Sequence, residues 1–175
     1  MNKLYYDCEN TPLVLTKLIY NNIKNFKELP VIMCVGTNKV VCDSVGPLAG
    51  TLLRHKYRAL AYVYGTLEKP LNALNINTAY EFIKGVHPLS QIILVDASIS
   101  SDETGIIKIS SASHTQFLNK NIYCYADLYI TVNTESSTLN FLLKKTKTDF
   151  IGAISDVVAL SINNALFLKN LNTYN

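Results

Sequence analysis

Two aspartates follow two short apolar runs at spacings that let one site use both. The first run, Val31-Ile32-Met33-Cys34-Val35-Gly36, leads through Thr37-Asn38 to Asp43-Ser44-Val45-Gly46-Pro47. The second, Ile92-Ile93-Leu94-Val95, leads straight into Asp96-Ala97-Ser98. Unbroken apolar runs of this length, alternating with helical stretches, predict buried parallel strands. Ligands and chemistry gather at the carboxyl ends of such strands. Two carboxylates delivered there can share a proton or a metal ion. Held close together they cannot both ionise easily, so one keeps its proton while the other is free to act as a base. That division suits hydrolysis, in which the base takes a proton from an attacking water and the acid protonates the departing group.

Each aspartate also has an ordinary role open to it. Asp43 stands ahead of an expected helix, where an N-cap is worth about 1 kcal/mol. Asp96 ends an expected strand, where a turn residue is equally ordinary. Their pairing favours the shared site. Asn38 is placed either to bond within its own loop or to orient a substrate carbonyl. Thr66, at the end of a further expected strand, is placed to line the same crevice. Gly36 and Gly46 serve backbone geometry.

Other chemistries find little support. His55 lies in Arg54-His55-Lys56, on a solvated helix end, and His87 precedes Pro88 in a loop. His114 stands in a segment that can fold over the site, which makes it the one histidine candidate for a metal. There is no HExxH and no paired His/Cys spacing, so a structural zinc site is not expected. Gly36-Thr37-Asn38-Lys39 is not a P-loop, no GxGxxG occurs, and neither Ser44 nor Ser98 sits in a GxSxG context. No cofactor is expected, a divalent metal being the one open option.

The elements that must position these residues follow from apolar spacing. Leu15, Leu18, Ile19, Ile23, Phe26 and Leu29 predict a helix over 12–29. Residues 1–10 read as an irregular lead-in, and a strand over 31–35 follows Pro30. The loop 36–43 delivers Asp43, and a helix starting between Ser44 and Pro47 runs to about Tyr57. Strands are expected at 60–64, 91–95, 105–109 and 127–132, and helices at 75–85, 136–145 and 150–169. This alternation describes one α/β domain over 1–175, a three-layer sandwich with a mostly parallel central sheet.

Composition sets the outer bounds. The chain has 175 residues, 49% hydrophobic and 17% charged, which supports a substantial core and argues against disorder. No secretory apolar stretch follows Met1, and no apolar run reaches the ~18 residues of a membrane helix. The four cysteines form no CxxC pair, and Cys34 and Cys124 fall in apolar stretches. A cytoplasmic protein without membrane contact is the expectation. The net charge of +3 is scattered, apart from Lys144-Lys145-Thr146-Lys147, so no nucleic-acid partner is expected.

Three segments in order resemble the YyaC-type family of spore proteases. Gly36-Thr37-Asn38 with Asp43-Ser44-Val45-Gly46-Pro47-Leu48-Ala49-Gly50 is similar to that family's GTD…GD[AS][LV]GPLxG signature. Tyr64-Gly65-Thr66-Leu67-Glu68-Lys69-Pro70-Leu71-Asn72-Ala73-Leu74-Asn75 and Val95-Asp96-Ala97 match its second and third segments. The resemblance extends to the spore germination protease and, more distantly, to hydrogenase maturation proteases. It implies a phosphorylase/hydrolase-like fold, Asp43 and Asp96 as the catalytic pair, a protein or peptide substrate, and work in the forespore or spore interior. The maturation proteases add a metal held by comparable carboxylates and a histidine, for which His114 is the candidate. Two departures imply weak activity or a non-catalytic binding role. His114-Thr115-Gln116-Phe117-Leu118-Asn119-Lys120 replaces a glycine-rich loop, and Tyr129 stands where a histidine is expected.

Overall fold

Every residue from Val31 to Val35 and from Ile92 to Asp96 is buried, as expected of strands covered on both faces. The computed structural model describes residues 2–24, 28–111, 124–136 and 148–171. In chain order these form β1 (Asn2–Tyr5), α1 (Thr11–Asn22), β2 (Val31–Cys34), α2 (Val45–Thr51) and β3 (Tyr62–Tyr64). Then come α3 (Ile76–Val86), β4 (Ile92–Ser100), β5 (Ile106–Ser111), β6 (Leu128–Ser136) and α4 (Thr148–Leu171). A 3-10 turn over Val41–Asp43 precedes α2, and a π-helical turn over Leu52–Lys56 follows it.

The strands make one mixed six-stranded sheet in the order β1-β5-β6-β4-β2-β3. β3 with β2, β2 with β4, and β4 with β6 are parallel; β6 with β5 and β5 with β1 are antiparallel. Side chains alternate between two apolar clusters, as the pleat requires. Ile32, Cys34, Ile93 and Val95 join one cluster with Leu15 and Ile19 of α1, Val45 and Ala49 of α2, and Ile154, Val158 and Ile162 of α4. Val31, Met33, Ile92 and Leu94 join the other with Ile76 and Ile83 of α3. By length and composition α4 could cross a membrane, yet half of its apolar stretch is buried inside the fold.

Three expectations about the elements need correction. The lead-in is not irregular: Asn2–Tyr5 pairs with Ile106–Ile109 of β5, and Lys3 meets Asp102 at 2.6 Å. Four residues carry too little periodicity to announce a strand, and pairing with β5 supplies what the local sequence lacks. The first helix stops at Asn22, short of position 29, because Ile23 turns extended. The helix expected to run to about Tyr57 does reach Lys56, its last turn over Leu52–Lys56 widened to π with Tyr57 at its C-cap, and this sets Lys56 and Tyr57 on Asp156 of α4 at 2.7 and 2.8 Å. Asp96 does not end its strand: β4 continues to Ser100, held by β6. The helix expected over 136–145 (beyond Ser136, which ends β6), the lysine cluster 144–147, and His114, Phe117 and Leu118 lie outside the described residues.

The start of α2 packs directly on the end of β2. A Cβ added at Gly46 would collide with the carbonyl oxygen of Val35 and crowd its amide nitrogen, so backbone meets backbone there. Gly152 in α4 faces open space instead. Gly46→Ala should therefore lower stability by about 3 kcal/mol or more, as overpacking of rigid backbone does. Gly152→Ala should raise it by about 0.5–1 kcal/mol through helix propensity. Urea melts of both variants check the opposite signs.

Candidate aspartate site

The loop that carries Asp43 is tied down along its length. Gly36 takes φ 140°, a conformation open to glycine, and its N–H donates to the Leu71 carbonyl at 2.7 Å. The Thr37 N–H donates to the Asp43 carbonyl at 3.0 Å, which closes the loop on itself. The Asn38 side-chain amide donates to the Leu67 carbonyl at 3.0 Å and joins this loop to the one after β3. The 3-10 turn then holds Asp43 N–H to Val40 and Ser44 N–H to Val41, each at 3.1 Å.

Asp43 is not the cap of α2. The N-cap position belongs to Ser44, no side chain caps there, and the Ser44 hydroxyl instead donates to the Val41 carbonyl at 2.7 Å. The Asp43 carboxyl is half-buried. Burial raises its pKa above the ordinary value, and the Thr37 N–H beside it pulls the other way.

Asp96 is more deeply enclosed, with 3% of its surface exposed. The ladder between β2 and β4 ends at Cys34 with Val95, and the Val35 N–H makes a last bond to the Val95 carbonyl at 2.8 Å. Asp96 is the next residue, opposite Thr131 of β6 on its other side. Its Oδ2 is buried with no hydrogen-bond partner among the described residues. Burial, and second the negative charge of Asp43, push its pKa up to about 8, against a smaller opposite pull from the Ala97 N–H. The two carboxyls are therefore close enough to feel each other's charge.

The structure thus sets the charge of Asp43 within electrostatic reach of Asp96 and places the other two expected site residues differently. Asn38 spends one amide hydrogen on fastening its loop. Thr66 is buried at the end of β3, its hydroxyl accepting from the Lys69 N–H at 3.2 Å, and it lines an opening along β3 that neither aspartate lines. His87 stacks on Tyr62 at 4.0 Å and shares a 2.8 Å hydrogen bond with the Tyr64 hydroxyl, a packed position rather than a ligand position. The contributions that the sequence does not announce are backbone ones: the Thr37 and Ala97 N–H groups, and the placement of Thr131 across the ladder. Among the described residues no three His, Cys, Asp or Glu side chains converge.

Comparison with known proteins places this arrangement in a family. The uncharacterized protein YyaC of Bacillus subtilis (strain 168) is 29% identical over 137 residues, which cover 74% of this chain and 65% of that protein. The match thus spans a little under two thirds of the relative's length. A family described as a protein of unknown function, DUF1256, matches residues 3–161, which include every glycine and aspartate of the site, and the chain belongs to that family.

Proposed function

We propose that this chain is a sporulation-associated peptidase that hydrolyses a peptide bond with Asp43 and Asp96, in the forespore or spore interior. The observation that carries the reading is the Asp96 carboxyl: buried, with one oxygen unpartnered, beside a second carboxyl. A fold gains no stability from such a group, and displaced pKa values of this kind cluster at functional sites. We read the fold in finer terms as a three-layer, phosphorylase/hydrolase-like sandwich with a mostly parallel sheet. Three parallel pairings in the β3-β2-β4-β6 half and helices in both apolar clusters support this. The partner is a protein or peptide, not nucleic acid or membrane.

The two carboxyls divide the work by their surroundings. Asp96, with a pKa near 8, holds its proton at neutral pH. Asp43, less buried and supported by the Thr37 N–H, is the member that ionises. Ionised Asp43 takes a proton from a water as its oxygen bonds to the substrate carbonyl carbon. Asp96 gives its proton to the amine as the C–N bond breaks, leaving a free acid and a free amine. The second amide hydrogen of Asn38 steadies the oxyanion, since the N–H groups of Gly36, Thr37, Asp43 and Ser44 are bonded within the fold. No covalent intermediate forms.

A divalent metal is the implied addition to this site. The Asp43 and Asp96 carboxylates supply two oxygen donors, and the third ligand implied by resemblance, His114, lies outside the described residues. The donor set among the described residues is therefore short of a metal site, and no step runs through a metal. A second reading, a non-catalytic binding protein, is favoured by one observation: an opening along β3 is lined by Thr66 but by neither aspartate.

Incubation with small acid-soluble spore proteins separates these readings. Asp43→Asn and Asp96→Asn should each lower the cleavage rate by roughly 10²–10⁴-fold, as loss of a general acid or base does. Cleavage that survives in the double variant defeats the mechanism. Stability supplies a test without a substrate. A carboxyl whose folded pKa lies near 8, against 3.8 unfolded, holds its proton more tightly in the fold. Its folded state therefore loses about 1.4 kcal/mol per pH unit as pH rises through that window. Asp96→Asn should flatten this decline and melt above the parent at pH 8. Parallel melting curves for both proteins from pH 5 to 8 would contradict the buried, protonated Asp96.

A further inference from the structure

The opening along β3 has a volume of about 780 Å³ and lies at the outer edge of the sheet. Consecutive residues 61–65 all line it. Side chains of a strand alternate faces, so the opening straddles the strand edge rather than one face. The backbone there is open. The Tyr62 N–H donates to the Pro30 carbonyl at 2.9 Å, and the register sets Tyr62 and Tyr64 on either side of Ile32. Alternation then turns the N–H and C=O of Val63 away from β2, and β3 has no second neighbour among the described residues. Such an edge is a template for an added strand.

The side chains around the opening narrow the occupant. Asn75 accepts from the Asn72 N–H at 2.9 Å and donates to the Pro70 carbonyl at 3.1 Å. Asn72 accepts from the Leu74 N–H at 2.9 Å, and the Thr66 hydroxyl is taken by Lys69. These groups serve their own loop, which leaves few placed polar groups for a small molecule. Arg54 and Lys69 remain, both exposed and neither in an ion pair among the described residues. No acid among the described residues lines the opening. Tyr62, stacked on His87, adds a flat wall.

We propose that the β3 edge takes up an extended polypeptide segment bearing acidic side chains, which pairs with Val63 as an added strand and sets its carboxylates against Arg54 and Lys69. This binding is independent of the peptidase reading, because neither aspartate lines the groove. The probe is a fluorescein-labelled acidic octapeptide of alternating Thr and Glu, followed by anisotropy on the full chain at low salt. The peptide should bind. Val63→Pro and the double variant Arg54→Glu/Lys69→Glu should each weaken it by roughly tenfold or more, and Asp96→Asn should leave it unchanged. Proline at position 63 removes an outward donor and no sheet bond. Should that variant fail to fold, the same peptide with methylated amides makes the equivalent test against the parent chain. Equal binding of the methylated peptide, or of a Thr/Lys peptide, overturns the proposal. So does loss of binding in Asp96→Asn, or a dimer that Val63→Pro dissociates and that excludes the peptide.

Discussion

Val31 with Ile92, Ile32 with Ile93, Met33 with Leu94 and Cys34 with Val95 form a parallel ladder in which every side chain is buried. Apolar burial on both faces holds the register, since a slip of one residue would exchange the two clusters. That register decides where Asp96 stands. It is the first residue beyond the last pair, still fastened to β6 on one side but no longer covered by β2 on the other. A carboxyl in that position is excluded from water without gaining a full set of donors. It answers the cost of burial by keeping its proton.

The position of Asp43 depends on the same strands at one remove. The Gly46 backbone rests on the Val35 carbonyl, so α2 begins hard against the end of β2. The loop between them has little room and is bonded at Gly36, Thr37 and Asn38. Two of those bonds reach the segment after β3, at Leu67 and Leu71. The loop that carries Asp43 is thus held from the end of β2 and from the segment after β3, and the charge of Asp43 is brought to bear on Asp96.

The segment after β3 takes part in two surfaces. Its carbonyls anchor the loop that carries Asp43, while Thr66 and Lys69 line the opening at the sheet edge. The hydrogen bonds from Asn38 to Leu67 and from Gly36 to Leu71, a residue that itself lines the opening, link the two. The two surfaces therefore adjoin through one stretch of chain, although neither aspartate lines the opening along the β3 edge.

Several features of this protein were legible in its residue order. The two unbroken apolar runs announced β2 and the first half of β4, because a strand covered on both faces needs no polar alternation. The spacing of Ile151, Ile154, Val158 and Ile162 announced α4, whose inner stripe fills the core. The two aspartates stood out by their place after those runs. Other features depended on partners distant in sequence. Asn2–Tyr5 becomes a strand through β5, more than a hundred residues away. Asp96 stays inside β4 because β6 continues the ladder past it. Asn38 and Thr66 have side chains that suit a substrate, but their hydrogen bonds go to Leu67 and Lys69. The displaced proton affinity of Asp96 arises from burial and a neighbouring charge, and both are properties of the packed chain rather than of any local segment.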